Sequence, residues 1–148
     1  MKSIFMKKTI FILSLLISTT LFAQEEWGNV EKNVLTMKEL APIWPGCSGN
    51  ADQRNACFKQ KLAQHIAKNF RYPAAEYKNN VEGKVVVNFI INEQGLPEIK
   101  KVTGGTTALQ NEAKRNIMAI PKMTKPGMMG GKPRAINYTV PFTFKTGK

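Results

Sequence analysis

The sequence predicts a small α+β domain: a three-stranded antiparallel sheet with two helices packed on one face. Two stretches place apolar residues at helical spacing. Three others alternate or are rich in β-branched and aromatic residues, and the order is helix, strand, strand, helix, strand. A chain of 148 residues has room for one such core. The expected organisation is a signal over residues 1–23, an extended lead-in over 24–49 and the folded domain over 50–148.

At the N-terminus, Lys2, Lys7 and Lys8 precede an apolar run from Thr9 to Phe22, followed by Ala23 and the polar Gln24-Glu25-Glu26. This is the layout of a secretory signal. The run is 14 residues long, whereas roughly 20 are needed to cross a bilayer. Cleavage after Ala23 is therefore expected. The alternative is an uncleaved membrane anchor, because Leu21 stands where a small residue is preferred.

The formal net charge is +12; three of those charges belong to the lysines of the signal, leaving +9 for residues 24–148. A basic surface attracts nucleic acid, anionic head groups or acidic protein faces. Export removes nucleic acid from the expected partners. In an oxidising compartment Cys47 and Cys57 are expected to form a disulfide that closes a short loop. A metal site built from Cys47, Cys57 and His65 matches no compact zinc spacing, and no metal or cofactor is expected.

In residues 24–46 the apolar side chains are scattered, as Trp27, Leu35, Leu40, Ile43 and Trp44, and the segment reads as a locally packed lead-in. The first helix begins near Asn50, with Asn50 or Asp52 as its cap. Phe58, Leu62, Ile66 and Phe70 form its apolar stripe, with Ala63 and Ala67 beside it. Tyr72-Pro73 ends it, since a residue before proline is driven to extended geometry. His65 reads as a partly covered residue on the helix flank.

Lys84–Ile91 reads as a strand, the cluster Asn92-Glu93-Gln94-Gly95 as a hairpin turn, and Pro97–Val102 as the returning strand. Thr107 with Gln110 forms a capping box for the second helix, whose stripe is Leu109, Ala113, Ile117 and Ile120. Pro121 stops it. Residues 125–132 are glycine-rich, but they do not join a strand to a following helix at P-loop spacing, so they read as a turn-forming loop.

The last segment alternates strictly from Arg134 to Phe144, placing Ile136, Tyr138, Val140, Phe142 and Phe144 on one face. Pro141 has no N–H to donate, so this strand is expected at the sheet edge with the Pro141 nitrogen turned outward. Backbone groups of equal parity point the same way. Ala135, Asn137 and Thr139 should then offer their N–H and C=O groups to the open edge. Without a ligand, the same edge would be a rim protected from aggregation by Pro141 and Lys145.

From Asn69 to Phe144 the chain resembles the TonB C-terminal domain family. The resemblance rests on Tyr72-Pro73-Ala74, Val81-Glu82-Gly83-Lys84-Val85, Asn92-Glu93-Gln94-Gly95, Lys101-Val102, Pro126-Gly127 with Gly131-Lys132-Pro133, and Thr139-Val140-Pro141-Phe142, in order and at family spacing. Trp44-Pro45-Gly46-Cys47 with Cys57-Phe58 is similar to disulfide-bearing members from Bacteroidetes-type bacteria. The resemblance implies a periplasmic module of outer-membrane transport that grips a receptor's TonB box by strand addition at Ala135, Asn137, Thr139 and Pro141. It also implies that Asn69, Phe70 and Arg71 lie near the receptor.

The pattern departs from a full energy transducer, which needs a permanent anchor and a long proline-rich arm. The 23 residues from 24 to 46 reach about 80 Å at most. Two readings follow: a transport component acting on TonB-dependent receptors, or a soluble periplasmic peptide-binding adaptor without energy transduction. An N-terminus retained in the inner membrane would add motor proteins as partners, and strand exchange would allow a homodimer. No catalytic residue is expected, since the mature chain has one histidine and no evident pairing of nucleophile with base.

Overall fold

The computed structural model describes residues 39–147. The signal and residues 24–38 of the lead-in lie outside the described residues. The elements are β1 (Glu39–Leu40), α1 (Ala51–Asn69), α2 (Ala74–Lys78), β2 (Gly83–Ile91), β3 (Pro97–Thr103), α3 (Thr107–Met118), β4 (Gly127–Met129), β5 (Lys132–Arg134) and β6 (Ile136–Phe144). The α+β class holds, with a main antiparallel sheet in the order β3-β2-β6. A second small sheet, β1-β4-β5, was not expected.

Helix α1 starts where its cap chemistry dictates. The Asn50 side chain accepts from the Gln53 N–H at 3.0 Å, and Gln53 Oε1 accepts from the Asn50 N–H at 2.9 Å. These two bonds satisfy donors that a helix start leaves orphaned. Phe58 and Leu62 are buried, and Ile66 and Phe70 pack partly against the core. Ala63 and Ala67 are exposed, contrary to expectation. Each residue turns the helix by about 100°, which carries both alanines beyond the stripe while His65 and Asn69 fall at its covered margin.

Tyr72-Pro73 ends α1 as expected, with Phe70 already extended at φ −64° and ψ 131°. The chain then re-enters a short helix, α2, whose first hydrogen bond runs from the Tyr77 N–H to the Pro73 carbonyl at 2.9 Å. The Tyr72 hydroxyl donates to the Val81 carbonyl at 2.7 Å and fastens this excursion to the segment that leads into β2.

In the β2–β3 hairpin the Asn92 side chain accepts from the N–H groups of Gln94 and Leu96, and Gly95 takes φ +80°. The cap of α3 is Thr106 rather than Thr107: its hydroxyl accepts from the Leu109 N–H, and Gln110 turns back to the Gly104 carbonyl. Gly104 itself has φ +82°, and a Cβ there would run into the Lys84 carbonyl. Leu109, Ala113, Ile117 and Ile120 are buried as expected. Helix α3 packs on β2 and β3, and α1 packs on α3.

Residues 127–134 form a hairpin instead of an irregular loop. Gly130 (φ +57°) and Gly131 (φ +76°) are the two central residues between paired Met129 and Lys132. Positive φ at both is what a type I′ turn demands. β4 also pairs with β1, so the end of the expected lead-in joins the fold. Trp44 enters the core edge-on to Phe58, at a centroid distance of 5.7 Å. The Cys47–Cys57 disulfide fixes that segment to the first turns of α1.

Candidate functional site

Strand β6 pairs with β2 and, among the described residues, with no strand on its other side. Its register against β2 runs unbroken from Ile136↔Ile91 to Phe144↔Gly83, placing Pro141 opposite Val86. Opposed residues in an antiparallel pair alternate between those that exchange two hydrogen bonds and those that exchange none. Proline cannot belong to the first kind, so the odd-numbered positions of β6 are the unbonded ones. The N–H and C=O groups of Asn137, Thr139 and Thr143, and the Pro141 carbonyl, therefore point away from β2.

The four odd-numbered side chains, Asn137, Thr139, Pro141 and Thr143, are exposed. Thr139 donates its hydroxyl to Asn88 Oδ1 at 2.8 Å, which secures the outer face of the strand without using backbone groups. On the other face Tyr138 stacks between Phe58 at 4.9 Å and Phe89 at 5.5 Å. Burial, and then the charge of Glu39, raise the pKa of its phenol.

Ala135 is not part of this edge, contrary to expectation. It sits in the break between β5 and β6, because Arg134 pairs with Gly127 in the second sheet. Gly127 makes that turn-off feasible: a Cβ there would collide with the Ile136 side chain. Thr143 takes the place of Ala135 among the outward-facing positions, and the alternation of the sequence already marked it.

The opposite edge, β3, is a poorer platform. It carries Glu98, Lys100 and Lys101, its pairing slips between Asn88 and Phe89, and Lys100 bridges Glu98. Charges and a bulge are the features that deter strand addition. Strand β6 has neither, and no charged residue occurs between Ile136 and Phe144.

Asn69, Phe70 and Arg71 lie beside the far end of β6. The Phe70 and Tyr72 rings contact Phe144 at 4.9 and 5.4 Å. Glu112 of α3 accepts the Arg71 backbone N–H at 2.9 Å and holds the Arg115 guanidinium at 2.7 and 2.8 Å; Arg115 also donates to the Asn69 carbonyl. Hydrogen bonding to Glu112 raises the Arg115 pKa against the opposing effect of burial. The Arg71 side chain stays exposed. Nothing in the pattern of α3 announced this clamp, because Glu112 looks like any solvent-facing helical acid.

At the end of β6, the Thr146 N–H and hydroxyl both donate to Glu82 Oε1, at 2.7 and 2.8 Å. These bonds lower the Glu82 pKa. His65 is engaged by Asn116 and Asn69 through its two ring nitrogens. Asn116 is fully buried: its amide donates to the Ile66 carbonyl, and its Oδ1 lacks a partner among the described residues.

Residues 68–146 match the family model described as Gram-negative bacterial TonB protein C-terminal. The chain belongs to the TonB C-terminal domain family. Membership supports a TonB-like role in outer-membrane transport. No curated protein matches the chain. Among solved structures it is similar to an NMR structure of the Helicobacter pylori TonB C-terminal domain, at 21% identity and TM-score 0.46, over 68% of this chain and 98% of that one. A shorter form of the same domain gives 22% identity and TM-score 0.41, over 62% and 96%. No helix among the described residues is long and apolar enough to cross a membrane. The TonB-like match begins at Lys68, so β1, Trp44, the disulfide and most of α1 precede it.

Proposed function

We propose that the protein is a non-enzymatic periplasmic module that takes part in outer-membrane transport by binding the N-terminal TonB-box segment of a TonB-dependent receptor. The visiting segment adds as a strand beside β6. Main-chain pairing with Asn137, Thr139, Thr143 and the Pro141 carbonyl supplies affinity, and the neighbouring side chains select sequence. Asn69–Arg71 forms a second contact at the Phe144 end, where Arg71 presents an exposed guanidinium. A signal at residues 1–23 accounts for export.

The observation that carries the reading is a long, unbulged edge without charge, with its outward backbone groups fixed by Pro141. Thr139→Pro tests it. The Thr139 N–H points outward, so its loss breaks no bond within the sheet. Binding of receptor N-terminal peptides should weaken by about tenfold or more, whereas Thr139→Ala, which keeps the N–H, should bind nearly as the parent does. Equal affinity of Thr139→Pro and parent for every receptor peptide that binds would reject strand addition here.

A further inference from the structure

Lys61, His65 and Lys68 fall at positions i, i+4 and i+7 of α1 and border an open groove of about 350 Å³. Its apolar floor is the edge of Trp44 with Pro121. The imidazole is a fixed wall, since Nε2 donates to the Asn116 carbonyl and Nδ1 accepts from the Asn69 amide. Lys61 and Lys68 are exposed, and neither forms an ion pair or hydrogen bond with the described residues.

Among the described residues no carboxylate lines this groove. Four acids of the domain are engaged elsewhere: Glu112 by Arg115, Glu98 by Lys100, Glu82 by Thr146 and Glu76 by Thr106. Two uncompensated ammonium groups therefore flank an apolar floor. At 1.5 Å per residue, seven residues separate their Cα positions by about 10 Å along the helix. With Trp44 and Pro121 also lining the groove, the pair suits two carboxylates on a chain that carries an apolar side chain between them better than one small hydrophilic anion.

We propose that this groove docks an acidic peptide segment of a partner protein, with one carboxylate at Lys61, another at Lys68 and an apolar side chain between them on Trp44 and Pro121. In an extended chain, residues four apart share a face and lie about 13 Å from each other, a span that two flexible lysines can reach. The segment is therefore one with two acids four positions apart and an aliphatic or aromatic residue midway between them, all three on one face. Lys61, His65 and Trp44 all precede the region that matches the TonB-like family. Lys68, Asn69 and Pro121 fall within it, so the groove straddles the start of that region, and the inference does not rest on strand addition at β6.

The test uses a blocked fluorescent peptide with two glutamates four positions apart and a leucine midway between them, followed by anisotropy at low ionic strength. The full-length protein should bind it, and its glutamine counterpart should bind much more weakly. Lys61→Ala with Lys68→Ala should weaken binding by about tenfold. Lys84→Ala with Lys101→Ala makes the same change in net charge on the sheet, away from α1, and should cost less than about twofold. Gln64→Trp, which fills the exposed side of the groove without altering charge, should also weaken binding. All five positions are exposed, so each variant should keep the parent's circular dichroism.

The proposal is overturned if the parent does not bind, if the two lysine pairs matter equally, or if the glutamine peptide binds as well. Displacement of the peptide by inorganic phosphate or by phosphatidylglycerol vesicles at matched charge would also overturn it, in favour of a general anion or membrane surface. Failure of strand addition at β6 would leave every one of these outcomes unchanged.

Discussion

The ring of Phe70 lies 4.9 Å from that of Phe144, so the segment leaving α1 and the last residue of β6 are fixed to each other. From the other side Glu112 holds the Arg71 N–H and Arg115. The two segments proposed to meet a receptor are therefore one continuous surface rather than two sites.

Glu112→Ala should release that surface. It removes a carboxylate that accepts bonds from a backbone N–H and a guanidinium, worth about 1–2 kcal/mol in all. The Arg115 share is discounted because that side chain is 39% exposed. Thermal unfolding should show the loss, and the Arg71 amide should shift by NMR. Glu112→Gln, which can still accept from Arg71, should fall between the variant and the parent.

Pro141→Val should keep the fold and make the edge dangerous. The position lies opposite Val86 without hydrogen bonds, so a new N–H would point outward and complete the row of donors on β6. Sedimentation should show concentration-dependent self-association that the parent lacks at the same concentration. A strictly monomeric variant with parent-like peptide affinity would argue that Pro141 does not guard this edge.

Replacing Cys47 and Cys57 with serine should cost about 2.5–3 kcal/mol, the value expected for a loop this short. The melting temperature should fall by roughly 10 °C or more. Reduction of the parent should reproduce the loss, while β6 stays paired with β2.

Lowering the pH should free the C-terminal segment. Bonds from Thr146 depress the Glu82 pKa from its ordinary value of 4.5, so the folded state binds that proton less readily than the unfolded chain. The stabilisation is complete above the ordinary value and disappears as pH falls through the depressed one. The Thr146 amide should titrate with a midpoint below 4.5, and Glu82→Gln should abolish that response.

The long elements were legible because α1, α3, β2 and β6 each repeat their period several times, and Pro141 alone identified the edge. The short ones were not. β1 has two residues and β4 and β5 three each, too few for a period, and their pairing is decided by tertiary contact. The Gly130-Gly131 pair was the available signal for the β4–β5 hairpin. Adjacent threonines made the α3 cap ambiguous by one position. The clamp from Glu112 to Arg71 spans 41 residues, a distance over which alternation and spacing say nothing. Burial of Asn116 was likewise hidden, since it depends on α1 lying across α3.

The most direct measurement is an NMR titration of the protein with receptor N-terminal peptides. The amides of Asn137, Thr139 and Thr143 should move most, those of Tyr138, Val140 and Phe142 less, and Arg71 should follow. Saturable binding of a receptor peptide that leaves the three odd-numbered amides in place, while shifting another surface, would contradict the account.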